Sequence, residues 1–485
     1  MKNVSDKQKW IAGFIVLMLA AFFSEGYHHP DEHYQLIEFA QYYLGEADAT
    51  NLPWEFEAQM RPTAQVFIAA GFIKFFSFFG ADDPFFLAWV LRIISALLSF
   101  FSIRLLVQTF SPRFQSQRAK SVLLLLSLFL WFIVYNNIRF SSENWSGTLF
   151  LMGFTVFYMD RIGELKRYLW VGALFGLSFL FRYQAIIMIG GFGLWMLFIH
   201  RANFKNSLAL IGGFVGVSLV GSLGDILFYG DTVFPFYNYI DENIFQGKAA
   251  EFGTEPVWFY LKDIFEKSIP PFSLFYLFAF GFMIYKQPKS ALTWSLVPFF
   301  LVHSFISHKE GRFLFPMVFF LPLILAELYE KWEASKWADW LKKKVYKIFR
   351  WLFIVVNGIA LLVITFKSAD SGIKVYRAIY EEVDGTALLY YMKKTPYEGG
   401  RGKQLHFYMP DDLKFQKAEN LNEIKAIKGK DCLFATSDRS LFDEIEARGW
   451  ENVYRSLPKW VDNVNFNNWV DRTPQWRLYR ITEEE

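Results

Sequence analysis

The chain has 485 residues, of which 53% are hydrophobic and 20% aromatic, including 57 Phe and 17 Trp. That is too apolar for an ordinary soluble domain, and a net charge of +3 argues against a nucleic-acid partner. One cysteine, Cys432, excludes an intramolecular disulfide and a cysteine-rich metal site.

The charged residues fall in clusters between long apolar runs, the pattern of a polytopic membrane protein. The first run, Trp10 to Phe23, follows Lys2, Lys7 and Lys9. No small-x-small cleavage site closes it, so it reads as a retained first span with its N-terminus in the cytoplasm. Directly after it comes Tyr27-His28-His29-Pro30-Asp31-Glu32-His33-Tyr34-Gln35, with Glu38 one turn on. Pro30 can open a helix at its first turn, and helical spacing then aligns Asp31, Gln35 and Glu38 on one face. The plain reading is a solvated acidic helix start. The sharper one is a catalytic carboxylate held at the membrane surface.

Runs suited to spans lie near 10–26, 85–108, 121–138, 145–159, 168–181, 184–199, 207–228, 270–285, 291–306, 313–329 and 350–366. The run 63–80 is ambiguous, and charge decides it. If it does not cross, every inner loop is basic: Arg113 to Lys120, Arg161 to Arg167, Arg201 and Lys205, Lys286 and Lys289, and Lys331 through Arg350. We therefore expect 63–80 to lie along the outer surface, with about eleven spans and the C-terminus outside. The stretch 168–199 is too long for one span, roughly 48 Å as a helix. Two short spans turning at Arg182 keep that charge out of the hydrocarbon. The expected fold is thus an α-helical polytopic membrane domain over 1–366, with a first outer loop at 27–84 and a long outer loop at 229–269. A small C-terminal α/β domain over 367–485 follows on the outer side. It is expected to hold strands at Leu405–Met409, Cys432–Thr436 and Trp476–Ile481 and helices at 376–394 and 439–448.

This topology collects the unusual polar residues on one surface. The first loop brings Asp31, Glu32, His33, Glu38 and Arg61. The next turns bring Arg139 and Glu143, then Arg182, then Asn238 and Asn243. The last brings His308-Lys309-Glu310-Gly311-Arg312, wedged between two apolar runs. Ionisable groups so close to hydrocarbon are paired or functional. For each taken alone, an interfacial anchor or a structural ion pair is the plain reading. Together, carboxylates at one end and Arg, Lys and His at the other suit glycosyl transfer from a lipid-linked sugar phosphate. The carboxylate is a base for the acceptor hydroxyl, and the cations clamp the departing phosphate. No phosphate loop, zinc spacing or Ser-His-Asp order is present in the sequence, and hydrogen bonding suits the histidines better than a metal.

The stretch His29-Pro30-Asp31-Glu32-His33-Tyr34-Gln35…Glu38 resembles the first-loop motif of the glycosyltransferase family 22 mannosyltransferases, GT-C enzymes of GPI-anchor and N-glycan assembly. His308-Lys309-Glu310-Gly311-Arg312-Phe313…Pro316 is similar to that family's His-Lys-Glu-x-Arg-Phe-x-x-Pro motif, and Asp225…Tyr229-Gly230…Pro235…Asn238…Asn243 to its long-loop pattern. Arg139-Phe140-Ser141-Ser142-Glu143 is a looser match. The likeness runs over about residues 10–330 and fades beyond, where Asp411-Asp412 replaces the family's Cys-His-Ser-Thr-Pro after Phe407-Tyr408-Met409-Pro410.

The resemblance implies a cofactor-free, metal-independent, inverting transfer of a sugar, expected to be mannose, from a polyprenyl- or dolichyl-phosphate donor to a glycan or glycolipid hydroxyl. The site would lie on the outer or lumenal face of a bacterial inner membrane or an endoplasmic reticulum membrane. Asp31 is the expected base and Glu32 the second candidate. His308, Lys309, Arg312, Arg182 and Arg61 are expected on the donor phosphate. His33, Gln35, Arg139, Glu143, Asn238, Asn243 and Glu310 are expected around the substrates, with Glu310 orienting the cations. A lipid-linked-sugar flippase or transporter is the alternative, and it predicts charges at the midplane and inverted repeats. A non-catalytic membrane scaffold gives no reason for carboxylates opposite a basic cluster.

Overall fold

The protein is described by a computed structural model, and the description covers residues 5–370, 372–383, 385–398, 403–458, 461 and 475–481. It is mostly helical with a small sheet, and it divides into two compact units that cut across chain order. One comprises residues 1–24, 54–69 and 90–367; the other comprises 25–53, 70–89 and 368–485.

The first unit is a helical bundle. Among the described residues, three helices are long and apolar enough to cross a membrane, at Pro84–Arg113, Phe204–Tyr229 and Lys344–Phe366. Counting two bent pairs, Gln117–Phe129 with Trp131–Asn137 and Gly311–Val318 with Leu321–Glu333, raises that number to five. The other expected spans form shorter or more charged helices, such as Ser142–Phe157, Glu164–Phe181, Phe272–Lys286 and Ala291–Phe305. By length and composition, then, up to five of the expected crossings qualify among the described residues. The run 63–80 folds as the helix Ala64–Ser77, 14 residues long and therefore about 21 Å, short of a hydrocarbon core of about 30 Å.

Helix packing here depends on small residues, since apolar side chains alone give helices no reason to associate in lipid. A Cβ on Gly172 would sit 1.9 Å from the Leu210 carbonyl oxygen, and one on Gly213 would sit 2.2 Å from that of Leu169. Glu164–Phe181 and Phe204–Tyr229 thus cross almost backbone to backbone. The bundle core is aromatic: Phe150 stacks on Phe175 at 4.8 Å, and Phe154 meets Phe320 edge-on at 5.1 Å. The long apolar stretch 168–199 does break at Arg182, which is extended between Phe181 and the helix Ala185–Trp195.

The second unit carries a five-stranded mixed sheet: β1 (Ala387–Tyr391), β2 (Leu413–Lys417), β3 (Asp431–Thr436), β4 (Glu451–Arg455) and β5 (Arg477–Arg480), in the order β2-β1-β3-β5-β4. β2, β1 and β3 are parallel, with Leu388 opposite Cys432; β5 runs antiparallel to β3 and β4. One face buries Leu388, Tyr390, Cys432, Phe434 and Tyr479 against Ile445 and Trp450.

Four sequence expectations need correction here. The helix expected over 376–394 ends at Glu382, and Ala387–Tyr391 is β1, an interior strand whose buried Ala-Leu-Leu-Tyr run suits a strand covered on both faces. The strand expected at Leu405–Met409 is a turn: its His406 and Phe407 amides are taken by the Glu38 carboxylate, and the Met409 amide bonds back to the His406 carbonyl. The helix expected over 439–448 is shorter, Phe442–Ala447 after a tight turn. Residues 25–53, expected in the membrane domain, pack with 368–485: the Ala369 amide donates to the Glu25 carbonyl at 2.8 Å, and the Arg377 guanidinium pairs with the Glu25 carboxylate.

Candidate active site

Two groups of the expected residues assemble, one in each unit. In the bundle, Ser141 caps the helix Ser142–Phe157 by accepting from the Asn144 amide at 3.3 Å, which fixes Glu143 in the first turn. Glu143 is buried. Its Oε1 accepts from Arg182 Nη1 at 2.9 Å and from Arg312 Nη1 at 3.0 Å. Burial pushes the Glu143 carboxyl up, but Arg182 and Arg312 outweigh that and hold it down at about 2. Glu143 is therefore ionised at any physiological pH.

Each arginine also has a second anchor. Arg182 Nη1 donates to Ser142 Oγ at 3.1 Å, and Arg312 Nε donates to Glu310 Oε2 at 2.5 Å. Both guanidinium carbons lie over the Phe313 ring, at 5.4 Å and 5.3 Å from its centroid. Glu310 Oε1 lies 3.0 Å from His308 Nε2, so Glu310 ties the motif's histidine to its arginine. Arg139 stacks over the Tyr135 ring at 4.7 Å and donates to its hydroxyl. Burial lowers Arg139 to about 9, with Glu143 opposing and Arg312 adding to the shift, so it stays cationic at neutral pH.

Gly147 permits the meeting of Glu143 with Arg312. It lies one turn beyond Glu143, and a Cβ there would come 2.6 Å from Pro316 Cα. The helix that carries Glu143 can therefore lie against the segment that follows Arg312. Gly311 has the same function on its other side, where a Cβ would meet Asp263 Oδ2 at 2.4 Å.

Other expected ligands have structural partners. Lys309 Nζ donates to the carbonyls of Glu255 and Ile306, both at 2.6 Å, and so ties the end of the long loop to the end of the helix Ala291–Phe305. The Asn238 amide donates to the carbonyls of Ala58 and Gln59, and that of Asn243 to Tyr239. Arg61 pairs with Glu55 at 3.3 Å. Asp225 accepts from the amide and hydroxyl of Thr63, at 2.9 and 2.7 Å, capping the helix Ala64–Ser77. Gln184 bonds the Tyr239 hydroxyl, which links the Arg182 turn to the long loop. Beside Ile306 a cavity of about 450 Å³ is lined by Asn243, Ala249, Leu301, Val302 and Phe305.

In the second unit the first-loop motif forms one short helix with a wide turn in it. Pro30 opens it, and His29 Nδ1 accepts from the Asp31 amide at 3.2 Å. Residues Tyr34–Glu38 form a π-turn before Phe39–Leu44 resumes as α-helix. The wider turn changes the expected alignment. Glu38 is brought to His33, five residues back, rather than into line with Asp31 and Gln35: His33 Nε2 lies 2.8 Å from Glu38 Oε1, and both are buried. Glu32 is also buried and accepts from the His28 amide at 3.4 Å, whereas Asp31 keeps 29% of its side-chain surface. Gln35 is buried within the π-turn. Among the described residues, no group of three or more His, Cys, Asp and Glu side chains is arranged to hold a metal ion.

Sequence reasoning missed Phe313 as the shared platform and Glu143 as the hub. The signals were present in the Arg-Phe pair of 312–313 and in the carboxylate two residues after Ser141.

The profile of the Alg9-like mannosyltransferase family matches residues 9–393. GPI mannosyltransferase 3 of Candida albicans is 26% identical over 66% of this chain and 64% of its own length. A Schizosaccharomyces pombe protein described as a probable Dol-P-Man:Man(7)GlcNAc(2)-PP-Dol alpha-1,6-mannosyltransferase is 27% identical over 60% of this chain and 54% of its own. The chain thus spans from about half to two thirds of these relatives' length. In fold it is similar to ArnT from Cupriavidus metallidurans, solved bound to undecaprenyl phosphate, with a TM-score of 0.54, 12% identity and 97% of each chain covered. The fold is the GT-C one, and with its apolar helices the protein is a membrane protein. On the family profile, which covers most of its length, the chain belongs to the Alg9-like mannosyltransferase family.

Proposed function

We propose that the protein is an inverting mannosyltransferase that uses a polyprenyl- or dolichyl-phosphate sugar as donor and a glycan or glycolipid hydroxyl as acceptor. The observation that carries this reading is the pair of buried guanidiniums, Arg182 and Arg312, held together on Glu143 and Phe313. A dianionic leaving group needs such a fixed, desolvated pair of cations. ArnT, with the same fold, was solved with undecaprenyl phosphate, which supports a lipid phosphate as the donor's leaving group.

In this reading Asp31 removes the acceptor hydroxyl proton as its oxygen attacks the anomeric carbon. The bond from that carbon to the phosphate oxygen breaks on the opposite face, and the electron pair leaves with the lipid phosphate. One base suffices for inversion, with no covalent intermediate. Asp31 suits the role better than Glu32 because it keeps exposed surface. Arg312, Arg182 and His308 receive the phosphate, and Arg139 adds positive charge. Lys309, Asn238, Asn243 and Arg61 shape the loops rather than touch the donor. The cavity between Asn243 and Phe305 takes the first isoprene units. The reading places about eleven crossings in the chain and the site on the extracytoplasmic or lumenal face.

The test is Asp31→Asn in membranes supplied with lipid-phosphate mannose and an acceptor. Loss of transfer by at least ~100-fold is expected for a general base. Near-normal turnover would remove Asp31 from the role.

A further inference from the structure

Glu38 is a buried carboxylate that the proposed reaction does not use. Its Oε1 lies 2.8 Å from His33 Nε2 and accepts from the backbone amides of His406 and Phe407 at 2.9 and 3.2 Å. One oxygen thus gathers three donors from two distant parts of the chain. The surrounding contacts point the same way. The Tyr34 hydroxyl donates to the Lys403 carbonyl at 3.0 Å, and Lys403 Nζ donates to the Thr50 carbonyl at 2.8 Å. The His33 ring stacks on Tyr408 at 5.4 Å and 18°. Tyr408 stacks in turn on Tyr376, and Tyr376 on Tyr397.

The Glu38 and Tyr34 contacts grip the π-turn Tyr34–Glu38, and the stack on Tyr408 holds His33 just before it; the π-turn continues directly from the Pro30–His33 turn carrying Asp31. A π-turn is strained relative to α-helix and persists where neighbours hold it. His29 fixes the Asp31 amide from the front, and residues 403–408 fix the π-turn from behind. A carboxylate base works only within a fraction of an ångström of its proton, so the orientation of this helix matters to the rate.

We propose that Glu38, through residues 403–408, is a positioning residue for the Asp31 carboxylate, so that the C-terminal region is part of the catalytic apparatus rather than an appended binding module. The inference rests on the proposed role of Asp31. Glu38 touches no substrate in this account.

The experiment compares Glu38→Gln and Tyr34→Phe in the full-length protein, each alone and combined with Asp31→Asn. Transfer is measured with lipid-phosphate mannose, and folding by thermal unfolding in detergent. Glu38→Gln is expected to lower kcat by ~100-fold, and Tyr34→Phe by ~5-fold, with the donor KM within twofold of wild type. In the Asp31→Asn background neither should lower the residual rate further, because a misplaced base matters only when a base is present. Equal fold-losses in both backgrounds, or an unchanged kcat, would overturn the inference. Should Glu38→Gln fail to fold, the single hydrogen bond removed by Tyr34→Phe still decides it through kcat and KM. Near-normal turnover of Asp31→Asn alone would instead overturn the reading of the reaction.

Discussion

The sharpest quantitative expectation concerns Glu143. Its folded carboxyl lies at about 2 against an ordinary 4.5, because the two guanidiniums outweigh the effect of burial. A depressed carboxyl contributes stability that is fully present above the unfolded value and is lost as pH falls through the folded one. The shift corresponds to roughly 3 kcal/mol, which agrees with the ~3–5 kcal/mol typical of breaking a buried ion pair by removing one partner. Glu143→Gln keeps an oxygen acceptor and the side-chain volume but removes the anion that Arg182 and Arg312 share, while Arg312 keeps Glu310. The purified protein should therefore lose about 3 kcal/mol at pH 7, read from unfolding followed by tryptophan fluorescence. The gap between wild type and variant should close as pH falls from about 4.5 to about 2, where Glu143 takes up its proton. Coincident unfolding curves at pH 7, or a gap that persists unchanged at pH 2, would refute the account of Glu143 as an ionised hub.

Other substitutions separate ligands from struts. Arg312→Lys removes the fork that reaches Glu310 and Glu143, so donor KM should rise ~10-fold or more in initial-rate assays. Lys309→Met should leave donor KM unchanged and instead lower stability by about 1–3 kcal/mol, since three carbonyls, those of Glu255, Ile306 and Ser307, lose their donor. A large KM effect there would return Lys309 to the phosphate. Gly147→Ala should destabilise the bundle by roughly 1–3 kcal/mol by pushing Ser142–Phe157 off Pro316, seen as a lower melting temperature. Asp225→Ala should cost about 0.5–2 kcal/mol through the lost cap at Thr63, and restored stability in Asp225→Asn would confirm a capping role.

Much of this was legible in the residues themselves. Long apolar runs form helices wherever they occur, and a charged cluster such as His308 to Arg312 between two of them marks a site without any coordinates, because charge beside hydrocarbon demands a reason. The break at Arg182 followed from length and charge alone. Period and composition are local properties, however, and the partner of a buried polar group is not. Arg312 meets Glu143 across 169 positions, and Glu38 meets the His406 amide across 368. Nothing in either stretch names the other. Lys309 and Arg312 look alike in the sequence as candidate phosphate ligands, and only packing sends one to carbonyls and the other to a carboxylate. Likewise, the face shared by Asp31, Gln35 and Glu38 assumed a regular helix. The π-turn that sets Glu38 against His33 depends on amides from residues 406 and 407, which no local rule could supply.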